Sequence, residues 1–106
     1  MSEDDVFRAL ADPSRRQLLD WLHRQNGQSL NELCQGLQMT RQAVAKHLAI
    51  LEEANLVSIR REGRKKLHFL NAVPINAIAE RWIGKFERPR LAALSDLKRK
   101  LEGEDP

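Results

Sequence analysis

Two groups of polar side chains in the middle of the chain could bind an anion or read a polar surface. The first lies in the segment TRQAVAKHLAILEE, where Val44, Leu48 and Leu51 recur at the spacing of one helical face. At 100° per residue, the side chains that point away from this face belong to Gln42, Lys46, Ala49 and Glu53. An amide and an ammonium group flanked by alanines suit a helix that enters a DNA major groove. An ordinary amphipathic helix on a small core would show the same spacing.

The second group is the basic run RREGRKK at residues 60–66. It holds five basic side chains and one acid, a net of +4, whereas the whole chain carries +3. The rest of the chain therefore sums to −1, and the basic excess is one local patch. Such a patch suits a polyanion, either nucleic acid or an acidic membrane surface.

The elements that must position these groups begin with a helix-turn-helix over Asn31–Ala54. Asn31 is the expected N-cap of its first helix, and the break falls at residues 36–39. Thr40 is the expected N-cap of the second helix, because its hydroxyl can accept a bond from the first-turn N–H groups.

Two further helices precede this unit. The first is predicted over Asp4–Leu10. Asp12 as N-cap and Pro13 at the first helical position then start a helix over Pro13–Arg24. Its inward side chains are expected to be Leu18, Leu19 and Leu22, with Trp21 beside them. Residues 29 and 30 form a short extended link to the helix-turn-helix.

After Asn55, which can adopt the left-handed conformation at a helix end, the pattern changes to that of β-strands. Residues 56–70 are predicted to form a hairpin, or wing, that turns at Glu62 and Gly63. Its tip carries Arg60, Arg61, Arg64, Lys65 and Lys66. A charged tip is usually only solvated, but this one directly follows the two-helix unit and could meet the same surface.

The last third, residues 74–102, is predicted to be helical, with Pro89 kinking or splitting it because proline lacks an N–H group. Its apolar stripe exceeds what a small core needs. We expect the stripe to be buried against a second copy of the chain, and the alternative is that it packs on its own domain. The expected dimerisation residues are Phe7, Leu10, Ile78, Trp82, Phe86, Leu94, Leu97 and Leu101.

Length and composition set the remaining bounds. The 106 residues suffice for a single domain, residues 1–106, with a modest core. No apolar run approaches the roughly 20 residues that span a bilayer. The acidic start MSEDDVF is unlike a signal peptide, and one cysteine allows no internal disulfide. We therefore expect a cytoplasmic protein. No catalytic grouping of residues indicates an enzyme.

The predicted fold class is mainly α with a small β-hairpin: a winged helix-turn-helix with N- and C-terminal dimerisation helices. The segments FRALADPSRRQLLDWL and RQAVAKHLAILEEANLVSIRREGRKKLHFLN resemble the signature of the ArsR (arsenical-resistance-repressor) family of bacterial transcriptional regulators. The resemblance runs from about Val6 to about Asn71. It implies that the second helix of the unit reads the major groove and that the wing contacts flanking DNA.

The resemblance assigns DNA contacts to Thr40, Arg41, Gln42, Ala43, Lys46, His47, Arg61, Arg64 and Lys65. Gln42 could pair with adenine, and Arg41 with guanine or a phosphate. The wing cations would hold phosphates. His47 fits a phosphate contact and a packed core-edge residue equally well. His23 and His68 have no evident partner and are expected at the surface or the core edge.

Many members of this family sense metals, but no metal site is expected here. The positions that align with one family cysteine pair hold Ser29 and Asn31, which are not soft ligands. Cys34 stands alone and is expected to be a small core residue. The last helix, which carries the other family site, contains no histidine. No cofactor is expected, and relief of DNA binding by a small molecule, Cys34 oxidation or a partner protein stays open.

Three functions therefore compete. The first is a homodimeric repressor that binds an inverted-repeat operator in double-stranded DNA. The second is a non-specific architectural DNA-binding module dominated by the wing. The third is a winged helix that binds proteins and no DNA.

Overall fold

The computed structural model describes residues 2–103, except for the side chains of residues 87–91. Five helices and one antiparallel hairpin form within these residues. They are α1 (Glu3–Leu10), α2 (Pro13–Arg24), α3 (Leu30–Gly36), α4 (Arg41–Glu53), β1 (Val57–Glu62), β2 (Lys65–Leu70) and α5 (Val73–Leu101). This element order confirms the predicted fold class, a mainly helical winged helix-turn-helix.

The helix starts follow from capping residues. The Asp12 carboxylate accepts from the Ser14 N–H at 2.8 Å, and the Thr40 hydroxyl accepts from the Ala43 N–H at 3.1 Å, so both predicted N-caps are confirmed. The prediction for α3 was wrong. Ser29, not Asn31, is its N-cap, and Ser29 and Glu32 form a reciprocal capping box. Residue 30 is consequently helical and not part of an extended link.

Two arginines of α2 fasten α1 through its C-terminal carbonyl groups. Arg15 donates from Nε to the Ala9 carbonyl at 2.7 Å and from a terminal nitrogen to the Arg8 carbonyl at 3.0 Å. Arg16 donates to the Leu10 carbonyl at 2.6 Å. The last carbonyls of a helix lack intrahelical partners, and a guanidinium group satisfies them while complementing the helix dipole.

Leucine side chains from α2, α3, α4 and the start of the wing form the core. The largest fully buried side chains are those of Leu18, Leu22, Leu33, Leu37, Val44, Leu51 and Leu56. The inward positions predicted for α2 and α4 are confirmed. Asn55, with φ 62°, makes the left-handed turn predicted between α4 and the wing.

The wing pairs its strands in a register that joins Val57 to Leu70 and Glu62 to Lys65. A third segment extends it, because Gln28 forms an isolated antiparallel bridge with His68. His68 is only 4% exposed, and its Nδ1 lies 2.9 Å from the Gln28 carbonyl. The sequence showed no partner for His68 and placed it at the surface or the core edge; in the structure it is buried, and its partner lies 40 residues away.

The chain forms two compact units, one ending at Ile75 and one beginning at Asn76. The second consists mainly of α5, which is a single helix without a split at Pro89. Pro89 falls among residues 87–91, whose side chains lie outside the description, and the kink expected there stays a prediction. Large apolar side chains on α5 are exposed, from 47% at Trp82 to 79% at Leu101.

We expect Arg15→Ala to lower the free energy of unfolding by about 2 kcal/mol, because hydrogen bonds from a charged donor contribute about 1.5–3 kcal/mol. Urea denaturation followed by circular dichroism measures the effect. Arg8→Ala is the matched control: its side chain is exposed and pairs only at the surface with Asp5, so the loss should stay below about 0.5 kcal/mol. Equal effects of the two substitutions would contradict the capping role of Arg15.

Candidate nucleic-acid interface

Helix α4 separates a buried face from a polar one. Val44, Leu48 and Leu51 are buried, whereas the exposed side chains are Arg41, Gln42, Ala45, Lys46, Ala49 and Glu53. The outward positions predicted for Gln42, Lys46, Ala49 and Glu53 are confirmed. The exposed face therefore carries two cations and an amide in its first turns, and small alanines let that surface approach a partner closely.

The wing exposes cations on both of its faces. Arg61, Arg64, Lys65 and Lys66 are all exposed at its far end. Arg60 is exposed as well, but its guanidinium lies over the Phe69 ring at 5.4 Å from the centroid, which restrains this side chain. Gly63 makes the turn with φ 62°. A Cβ atom added at this residue would meet no other atom within 4 Å.

A groove of about 420 Å³ lies between α4, the wing and the start of α3. It brings together one predicted recognition residue, Arg41, and two predicted wing contacts, Arg64 and Lys65. Among the other lining residues, Lys66 and His68 were not predicted to be contact residues of this surface. Only the hairpin register and the bridge to residue 28 place them here, and neither can be read from a local pattern.

Asn31 of α3 accepts a hydrogen bond from the Arg41 guanidinium through its side-chain carbonyl. The position that aligns with a family metal ligand thus holds a recognition-helix arginine in place. Near it, the pKa of Glu32 is lowered, first by its bonds with the Ser29 backbone and side chain and then by the charge of Lys65. The start of α3 and the wing tip are therefore coupled electrostatically.

Two predicted contact residues lie closer to the core than to the exposed face. Ala43 is half-buried, and its N–H is engaged by Thr40. His47 is half-buried, and its Nδ1 is buried without a hydrogen-bond partner among the described residues. Its charge helps to lower the pKa of Asp12, after the larger effects of the Ser14 N–H and Arg15. The DNA contacts predicted for these two residues stay predictions.

The packing of Trp21 on Gly36 fixes α3 against α2. The indole N–H donates to the Gln28 side-chain carbonyl at 3.0 Å, and the Gln28 amide donates to the Gln25 carbonyl at 2.6 Å. A Cβ atom at residue 36 would come within 2.7 Å of the Trp21 Nε1. A glycine at the end of α3 therefore lets the ring lie against the backbone just before the turn into α4.

The remaining chemistry-bearing groups can be stated briefly. Cys34 is half-buried. Within the described residues, no group of three or more histidine, cysteine or acidic side chains could hold a metal ion. In the same part of the chain, no helix combines the length and apolar character that crossing a membrane requires.

A polar recognition helix beside a basic wing defines a DNA-binding protein of the winged helix-turn-helix class. Comparisons with known proteins agree. A family model described as a helix-turn-helix domain matches residues 10–60. An HTH-type transcriptional regulator of Bacillus subtilis, YuzN, is 39% identical over 88 residues, which cover 77% of this chain and 96% of that protein. The chain belongs to the ArsR family of transcriptional regulators.

Two further relatives are also transcriptional regulators. The structure of an ArsR-like transcriptional regulator from Rhodococcus superposes with a TM-score of 0.71 at 34% identity, covering 90% of this chain and 91% of that one. The transcriptional repressor SdpR of Bacillus subtilis is 29% identical over 68 residues, covering 64% of this chain and 74% of that protein. The relatives are regulators and not enzymes.

We expect Gly36→Ala to lower the free energy of unfolding by about 1–3 kcal/mol, because the added methyl group overpacks the Trp21 ring. Thermal and urea denaturation measure the change. Gly84→Ala in α5 is the matched control: a Cβ there meets nothing within 4 Å, and alanine favours a helix by about 1 kcal/mol over glycine. An unchanged stability of Gly36→Ala would show that Trp21 does not fix α3.

Proposed function

We propose that this regulator is a homodimeric repressor that binds an inverted-repeat operator through two copies of α4 and the wing. The observation that carries the proposal is the groove-flanked cationic surface on which Arg41, Arg64 and Lys65 come together next to the exposed Gln42 and Lys46. The relative SdpR is itself called a transcriptional repressor.

Base readout is assigned to α4, and positioning to the wing. The Gln42 amide can make paired hydrogen bonds with the N6 and N7 edge of adenine, and Arg41 can bind guanine or a phosphate. Arg61, Arg64 and Lys65 neutralise phosphates, which strengthens binding to any sequence and makes it sensitive to salt. Specificity thus depends on few side chains, and affinity on many.

Dimerisation is assigned to α5 together with the exposed Phe7 of α1. The large apolar side chains of α5 described as exposed include Trp82, Ile83, Phe86, Leu94, Leu97 and Leu101. At 100° per residue they fall within an arc of about 120°, and Trp82 and Phe86 stack with centroids 5.7 Å apart. An exposed apolar stripe of this length is typical of an interface. In a symmetric dimer, the two recognition helices would lie about one DNA turn apart.

The DNA prediction is tested by selecting binding sites from genomic fragments and measuring affinity for the winning site at two salt concentrations. We expect an enriched palindrome. Gln42→Ala should cost about 1–3 kcal/mol at the base pair it reads and leave non-specific binding unchanged. Arg64→Gln should weaken specific and non-specific binding alike and reduce the salt slope by about 1.

Arg8→Gln provides the control, because this exposed cation lies on α1 outside the proposed surface. It should leave the affinity and the salt slope as they are. Binding without any enriched sequence would favour the architectural module. A variant in which Arg61, Arg64 and Lys65 are neutralised tests the third function. If this variant binds no DNA but still regulates, the chain is a winged helix that binds proteins.

The dimer prediction is tested by sedimentation velocity at roughly micromolar concentrations. The unsubstituted chain should sediment as a dimer, and Leu97→Glu as a monomer, because a carboxylate on the stripe would be buried without a partner. Ser95→Glu adds the same charge about 160° away from Leu97 on the helix and should remain dimeric. A monomeric unsubstituted chain would contradict the role of α5.

A further inference from the structure

The groove between α4, the wing and α3 has features that base readout does not require. Its volume of about 420 Å³ lies within the range of small-molecule sites. The lining residues are Ser29, Leu30, Asn31, Arg41, Ala45, Leu48, Glu52, Arg64, Lys65, Lys66 and His68. All of them belong to the unit that ends at Ile75.

Four cations line the groove, and one acid opposes them. Arg41, Arg64, Lys65 and Lys66 supply a local charge of +4, and Glu52 reduces it to +3. Such a concentration of guanidinium and ammonium groups favours a phosphate or carboxylate, which Arg binds in a bidentate manner. The single carboxylate of Glu52 is a hydrogen-bond acceptor in an otherwise cationic site.

His68 adds a second acceptor and is buried. It is 4% exposed, and its Nδ1 must donate to the Gln28 carbonyl, 2.9 Å away, because a carbonyl oxygen only accepts. When the ring carries only this proton, Nε2 is an acceptor, and no hydrogen bond engages it among the described residues. Nε2 is not among the buried atoms that lack a partner, so it is accessible to a hydroxyl donor of a ligand in the groove that His68 lines.

These two properties together select a chemical class. The cations require an anionic group, and the acceptors of His68 and Glu52 require hydroxyl donors. The volume exceeds what a bare phosphate ion fills. A molecule with one phosphate and several hydroxyl groups meets all three conditions, and a sugar phosphate is the simplest such molecule.

The geometry points to a binding site for a free sugar phosphate, which acts as the effector of this regulator. This inference rests on the proposed function, because Arg41, Arg64 and Lys65 serve both the groove and the DNA surface. A sugar phosphate bound there neutralises these cations and competes with the DNA backbone. The DNA backbone is itself a sugar phosphate, but it lacks the free hydroxyl groups that His68 and Glu52 would accept from.

Isothermal titration of the full chain without DNA tests the site. The probes are glucose-6-phosphate and 6-phosphogluconate at constant ionic strength, with glucose and inorganic phosphate as the two halves of the ligand. We expect saturable binding of at least one sugar phosphate, at least about tenfold tighter than inorganic phosphate, or about 1.4 kcal/mol. Glucose alone should not bind measurably.

Three substitutions locate the site. His68→Asn keeps a donor for the Gln28 carbonyl and removes Nε2, so it should weaken sugar-phosphate binding about tenfold and inorganic phosphate binding little. Lys66→Gln should weaken the binding of both ligands. The Lys66 side chain is exposed, so the substitution should leave the fold intact. Arg8→Gln is the matched control: it removes an exposed cation from α1 and none from the groove, and both ligands should bind it as before.

The remaining outcomes are decisive. No saturable binding of either sugar phosphate at roughly millimolar concentrations, or equal binding by the unsubstituted chain and His68→Asn, overturns the inference. If inorganic phosphate binds as tightly as the sugar phosphates, the groove is a site for DNA phosphates only. That result also overturns the inference. The titration contains no DNA, so the two experiments can fail independently. Failure to select an operator would contradict the proposed function, and the titration would still show whether the groove binds a sugar phosphate.

Discussion

The position of the wing depends on the paired backbones of Gln28 and His68. A two-stranded hairpin alone is marginally stable in water, and this one gains a third segment from the loop between α2 and α3. The His68 N–H donates to the Gln28 carbonyl at 2.8 Å, and the Gly27 N–H donates to the His68 carbonyl at 2.9 Å. The Gln28 side chain is buried and satisfied by Trp21 and Gln25, so the bridge also ties the wing to α2. Breaking this connection would release the wing and expose polar groups that now have partners.

Helix ends contribute the second constraint. Each helix of the DNA-binding unit begins at a side chain that accepts from its first turn, and α1 ends at carbonyls that Arg15 and Arg16 occupy. The short α3 and α1 would be marginal in isolation, because helices of 7 and 8 residues lie below the length at which helices persist in water. Caps and leucine packing together hold them. The run of arginines after Pro13 therefore has a structural role at the α1–α2 junction.

The sequence predicted the elements well because their signals are local. Asp12 before Pro13, Thr40 before a periodic apolar run, and the leucines of α2 and α4 each act within one or two helical turns. The cap at Ser29 is also encoded locally, since Glu32 follows at the spacing of a capping box. The predicted extended link over residues 29 and 30 placed the cap at Asn31 instead. The burial of His68 was not readable, because it depends on strand register and on a bridge across 40 residues. The groove and its lining share this non-local origin.

The overlap between the groove and the DNA surface constrains any regulation of this chain. A ligand shifts DNA affinity only by the difference in its own affinity for the free and the DNA-bound protein. A ligand of the exposed stripe on α5 would have to transmit that difference through a conformational change. An anion in the groove needs none, because Arg41, Arg64 and Lys65 line the groove and belong to the proposed contact surface. Each of these cations can neutralise one anion at a time, so competition follows from charge alone, and the hydrogen bond from Arg41 to Asn31 keeps the arginine where both anions would meet it.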